Sequence, residues 1–119
     1  MGLTHVAVTV RNLVTRDSFT ASFLIDTGAT ASMAPTSELN RIGIEPISKT
    51  IYEHANGQLE EFHYGFAEVS FMDETTGSEI LFGPDGVEPF LGVIALESVG
   101  ITVDPANQRL KKLPALSLK

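Results

Sequence analysis

The stretch Phe23-Leu24-Ile25-Asp26-Thr27-Gly28-Ala29 constrains this chain more than any other. An apolar run leads straight into an acid, a hydroxyl, a glycine and an alanine. The run reads as a buried strand. Ending a buried strand in a carboxylate is expensive unless the charge is paired or hydrogen-bonded. Gly28 allows a sharp turn beside the acid. Thr27 adds a hydroxyl on a β-branched stem with a restricted rotamer. The stretch therefore reads as an acid held at the end of a rigid strand. Taken alone, the tripeptide Asp26-Thr27-Gly28 is weak evidence for catalysis and reads more readily as a tight turn between strands.

The rest of the chain alternates short β-rich runs with turn chemistry. His5 to Val10 and Phe19 to Ile25 read as strands, separated by the turn residues Arg11-Asn12 and Thr15-Arg16-Asp17-Ser18. Ala31 to Ala34 reads as extended, and Pro35 to Gly43 as one or two helical turns stopped by Gly43. Lys49 to Tyr52 and the long run Leu59 to Met72 flank Asn56-Gly57, the strongest short hairpin signal available. Asp73 to Gly77 reads as a second polar turn, followed by a strand at Glu79 to Phe82 that Gly83-Pro84 stops. Val93 to Val99 reads as a short helix ended by Gly100. Ile101 to Asp104 and Arg109 to Leu113 finish as strands around an Asp-Pro-Ala-Asn turn. The fold class expected is all-β, with one or two short helices.

At 119 residues the chain has room for a single domain, taken as 1–119, with a modest core. It is 43% apolar and 19% charged, as expected for a globular chain. It has no cysteine, which excludes disulfides, a thiol nucleophile and Cys-ligated zinc. That suits a reducing compartment and sets the expectation of a cytoplasmic protein. Met1 to Val10 lacks the basic and long apolar regions of a signal peptide, and no apolar run approaches a membrane span. The formal charge is −7, and the one basic cluster, Arg109, Lys111 and Lys112, reads as a solvated strand face. Nucleic acid is not an expected partner.

Order and spacing turn these parts into a pattern. Asp26-Thr27-Gly28-Ala29 is followed by a hairpin turn at Asn56-Gly57, then Leu81-Phe82-Gly83-Pro84, then Phe90-Leu91-Gly92, then a short helix and Gly100-Ile101-Thr102-Val103-Asp104-Pro105. From about Phe19 to Leu113 this resembles the retropepsin-like, or retroviral-type, aspartic proteases, and most of all their small prokaryotic single-domain members. The resemblance implies a closed β-barrel with a flap hairpin. It also implies a homodimeric endopeptidase that hydrolyses peptide bonds with no metal or other cofactor.

That chemistry uses two carboxylates sharing one proton, one activating water while the other serves the substrate carbonyl. The chain has one Asp-Thr-Gly, and none of Asp17, Asp73, Asp85 or Asp104 is followed by Thr/Ser-Gly. The second acid is therefore expected from Asp26 of a second copy, which a two-fold dimer supplies. Carried over residue by residue, Asp26 is the catalytic acid/base, Thr27 braces the pair across the axis, and Gly28 lets substrate backbone lie close. Ala29 floors the cleft, and Leu91-Gly92 packs beneath the Asp loop. The flap, about Thr50 to His63, covers substrate with Asn56 and Gly57 at its tip. Val87 and Phe90 are candidate subsite walls, with core packing as their plainer reading.

His54 and His63 flank the flap tip, but two histidines without a third ligand do not make a metal site. Tyr52 and Tyr64 read as packing residues. Two positions depart from the family. Many retroviral enzymes pair an Asp just after Asp-Thr-Gly-Ala with an Arg just after the apolar-apolar-Gly; here those positions are Thr30 and Val93. The alternative function is a catalytically weak retropepsin-like dimerisation or peptide-binding module, and a third reading is an all-β domain with an accidental Asp-Thr-Gly turn.

Overall fold

The computed structural model describes residues 4–104, 106–107 and 109–118. Pro105, in the turn expected before the last strand, lies outside the described residues, as do Met1 to Leu3 of the segment read for a signal peptide.

The chain opens with an antiparallel pair, β1 (His5–Arg11) and β2 (Ser18–Ile25). Their register sets Val8 against Ala21 and Val10 against Phe19. Period-2 alternation sends Val8, Val10, Phe19 and Phe23 to the interior. The turn between them is built on Asn12. Its Oδ1 accepts the Val14 and Thr15 N–H groups at 2.8 and 3.1 Å, and its Nδ2 donates to Ile42 O at 3.0 Å. The expected turn residue is thus also a buried tie to the far side of the chain.

After the Asp loop come β3 (Ser32–Pro35) and helix α1 (Thr36–Arg41), which ends before Gly43 at φ +80°. Two strands, β4 (Ser48–Glu53) and β5 (Leu59–Phe71), make the flap hairpin. They are followed by β6 (Glu74–Gly83), the two-residue β7 (Phe90–Leu91), helix α2 (Val93–Ser98), β8 (Ile101–Asp104) and β9 (Arg109–Lys112). Lys112 pairs with Glu74 at 3.2 Å, and Arg109 and Lys111 are exposed, so the basic cluster is a solvated strand face.

The main sheet runs β1-β2-β7-β3-β6-β5-β4, and β1 also pairs with β5. Six strands therefore form a closed ring, with β4 hanging from β5. β8 and β9 form a separate two-stranded sheet. The ring encloses the core, which includes Phe23, Val69, Ile80 and Leu91, and α1 and α2 close it with Leu39 and Leu96.

Two turns differ from the sequence expectation. The polar turn expected at Asp73 to Gly77 is instead the two-residue turn Met72-Asp73, with both φ values positive (52° and 62°). Thr75, Thr76 and Gly77 are already in β6, paired with Ser70, Val69 and Glu68. Their polarity reflects a solvated strand end. In the flap, the turn is wider than a two-residue Asn-Gly turn. Gly57 N–H donates to His54 O and His54 N–H to Gln58 O, at 2.8 and 2.7 Å, and of Asn56 and Gly57 only Gly57 has a positive φ (+85°). This is the three-residue connection with glycine in the left-handed position.

Candidate active site

Asp26 is the first residue after β2. Its position is fixed from both sides: Ile25 N–H donates to Thr4 O at 2.8 Å, and Asp26 N–H donates to Leu91 O at 2.9 Å. The carboxylate is half-buried, and its Oδ1 accepts the Gly28 N–H at 2.9 Å. This answers the desolvation cost posed by an acid at a strand end: the chain turns back and supplies a donor. A Cβ on Gly28 would lie 3.3 Å from Asp26 Oδ1, so a side chain here would press on the acid. Thr27 and Gly28 are both exposed.

The seat beneath this loop is β7 and the start of α2. β7 runs parallel to β2, with Leu24 beside Phe90 and Ile25 beside Leu91. Val93 N–H donates to Ala29 O at 2.9 Å and Ile94 N–H to Thr30 O at 3.2 Å. Gly92 N–H donates to the buried hydroxyl of Ser32 at 3.0 Å. Gly92 has an ordinary φ of −93°, and it is glycine for reasons of space: a Cβ would lie 2.6 Å from Thr30 O and closer still to Ala31 O. Where many retroviral enzymes have the Asp–Arg pair, Thr30 and Val93 thus take part in backbone bonding between the same two segments.

Beside Gly28 and Ala29 opens a cleft of about 500 Å³. Its floor is a second apolar cluster, separate from the main core, formed by Ala31, Met33 and Leu81 with Val87 and Phe90 packed on it. The flap is its roof. Pairing of Tyr52 with Glu60 and Thr50 with Phe62 puts these side chains on one face of the hairpin, and Tyr52 and Phe62 meet edge-to-face at 6.3 Å. His54 bonds Glu60 across the neck of the flap at 2.8 Å. Burial, with the Glu79 carboxylate nearby, pushes the Tyr52 phenol above its ordinary value, so it stays a hydroxyl throughout the working range.

Of the residues singled out in the sequence, Gly28, Ala29, Val87 and Phe90 line this cleft. Thr27 lines a second hollow of about 310 Å³ with Val93, Leu96, Glu97 and β8 residues. The residues around Asp26 therefore face two separate hollows. Asn56 and Gly57 form the flap tip and do not line the cleft; Tyr52, His54, Glu60 and Phe62 do. Met33, Leu81 and Tyr52 were missed as cleft residues because an apolar side chain on a strand reads as core until a missing partner leaves it facing a groove. The alternation of Tyr52, Glu60 and Phe62 about the hairpin was the signal available. His54 and His63 stand at positions of opposite parity on the hairpin, with His63 set against Lys49, and no cluster of three or more metal-ligating side chains occurs among the described residues. Also among the described residues, no helix is long and apolar enough to cross a membrane.

The family model described as aspartyl protease matches residues 6–94. Among solved structures, that titled "EIAV protease complexed with the inhibitor HBY-793" is similar with a TM-score of 0.64 at 19% identity. The match covers 87% of this chain and 93% of that one. At this identity the likeness concerns the fold. No curated protein matches the sequence.

Proposed function

The chain belongs to the aspartyl protease family, and from that premise we propose that it is a homodimeric aspartic endopeptidase whose two Asp26 carboxylates, one per subunit, activate the hydrolytic water. The observation that carries this reading is the setting of Asp26. It is a half-buried acid, anchored by Leu91 O and the Gly28 N–H, beside a roofed apolar cleft and next to an exposed Thr27.

An extended peptide lies along Gly28 and Ala29 beneath the flap, with apolar side chains against Val87 and Phe90. One Asp26 is ionised and takes a proton from water; the other is protonated and donates to the scissile carbonyl oxygen. The water oxygen bonds to the carbonyl carbon, giving a tetrahedral diol. The first Asp26 passes its new proton to the nitrogen, the second takes back a proton from the diol, and breakage of the C–N bond releases an amine and a carboxylic acid. No covalent enzyme intermediate forms. Thr27 braces the pair across the two-fold axis, and Asn56-Gly57 brings the flap over the bound chain.

Sedimentation across a concentration series, paired with cleavage of a peptide library near about pH 5, tests the proposal. A dimer whose specific activity falls as dilution dissociates it is the expected result. A strict monomer, or a dimer that binds peptides without cutting any, would transfer support to the binding-module reading.

A further inference from the structure

The Asp loop and the segment beneath it are joined like the two sides of a zipper. Asp26 N–H is held by Leu91 O, Val93 N–H by Ala29 O and Ile94 N–H by Thr30 O. Within this run the Gly92 N–H is bound by a side chain: it donates to Ser32 Oγ at 3.0 Å, across 60 positions of sequence. Ser32 is 2% exposed. Gly92 is wedged against the Thr30 and Ala31 carbonyl oxygens, which are as close as its missing Cβ permits.

We propose that Ser32 is a positioning residue for catalysis, holding Gly92, and through it Leu91 O, at the distance that fixes Asp26. This rests on the protease reading above. Position matters here because a dyad spanning two subunits tolerates little displacement: general acid–base catalysis needs hydrogen-bond reach on both sides of the water. The chain from hydroxyl to acid is short. Ser32 Oγ binds the Gly92 amide, Gly92 follows Leu91, and Leu91 O holds the Asp26 amide at 2.9 Å. Removing the hydroxyl leaves the Gly92 amide buried without an acceptor, which favours any shift that rehydrates it. Such a shift carries Leu91 with it. The neighbouring bonds from Val93 to Ala29 and from Ile94 to Thr30 hold the segment one and two residues further on, and neither gives the Gly92 amide an acceptor.

The test uses wild type, Ser32→Ala and Ser32→Cys, with Asp26→Asn as control. The cysteine, slightly larger, keeps the site filled while offering only a weak acceptor, so it gives a second variant if the alanine fails to fold. In a cleaved peptide assay, with folded dimer measured by sedimentation, kcat is expected to fall about tenfold in both variants while KM stays within about twofold, a loss of about 1.4 kcal/mol of transition-state stabilisation. A normal kcat per folded dimer would make Ser32 merely structural and overturn the proposal. Amide hydrogen exchange provides a readout that needs no activity. Faster exchange in Ser32→Ala at both Gly92 and Asp26 is expected, whereas faster exchange at Gly92 alone would break the link to the acid. If wild type and Asp26→Asn are equally inert, the protease reading fails, and the exchange result still decides whether Ser32 positions Asp26.

Discussion

A Cβ built on Gly92 would fall against the carbonyl oxygen of Ala31, in a space no side chain can share. The backbone there is unstrained, so the cost of any substitution is purely steric. Gly92→Ala is expected to lower stability by about 2 kcal/mol or more, in the range of overpacking, and to reduce cleavage at least tenfold in the molecules that remain folded. Gly77 on β6 has nothing within 4 Å of its would-be Cβ, so Gly77→Ala should leave both quantities near wild type. Urea unfolding of the two variants side by side checks this.

Asp26→Asn keeps an oxygen for the Gly28 N–H but cannot exchange a proton with water. Hydrolysis is expected to drop by about a thousandfold or more, the upper range for an acid–base group, with the thermal midpoint retained. A site shared between two subunits, as proposed, carries a sharper consequence. When Asp26→Asn protein is mixed with wild type, mixed dimers contain a single carboxyl group and should be inactive. Activity in an equimolar re-equilibrated mixture should fall to about half of what the wild-type chains alone deliver. Activity proportional to wild-type chains would mean that each subunit works by itself.

The Met72-Asp73 turn places two non-glycine residues at positive φ. That conformation costs roughly 1 kcal/mol for an ordinary side chain, and Asn-Gly is the pair that suits it. Met72→Asn with Asp73→Gly is expected to raise stability by about 1 kcal/mol, measured by urea unfolding. Both residues are at an exposed hairpin tip, away from the cleft, so peptide cleavage should not change.

Glu68 joins β5 to the first hairpin turn. The hydrogen bond from Arg16, at 3.1 Å, together with Arg11 at 3.4 Å, holds its carboxyl below the ordinary glutamate value. A depressed folded-state value means stability that is present above the unfolded-state value and lost as pH falls through the folded one. Glu68→Gln should therefore lower the thermal midpoint at neutral pH. The gap to wild type should persist to about pH 4.5 and close only below it. A gap that widened on acidification would contradict the sign.

Much of this arrangement was legible because the relevant signals are local. Phe23 to Ile25 announces a buried strand and Asp26-Thr27-Gly28 a turn beside an acid, while the seat at Leu91-Gly92 followed only from the family resemblance. What escaped was decided by strand pairing and packing that no single short stretch displays. Met72 carries no turn signal and Asp73 reads only as the start of a longer polar turn, whereas Thr75, Thr76 and Gly77 look like turn and are strand because β5 runs long enough to pair with them. Asn56-Gly57 marked the right place, but the His54 and Gln58 backbones set the width of the turn. Met33 and Leu81 read as core until the flap shows which apolar cluster stays open. The Ser32–Gly92 bond has no signature in either residue's surroundings.

The flap strand β4 has one strand neighbour in the sheet, β5, whereas the ring closes through β1 and β5. Lengthening, shortening or replacing residues 48–58 therefore breaks no ladder of the barrel. Most of the roof can diverge while the acid and its seat stay fixed, so the lining of the cleft can change by rewriting one hairpin arm and its turn. The same openness leaves one edge of β4 without a strand neighbour among the described residues, and there Lys49 and Glu53 discourage neighbouring copies from adding a strand.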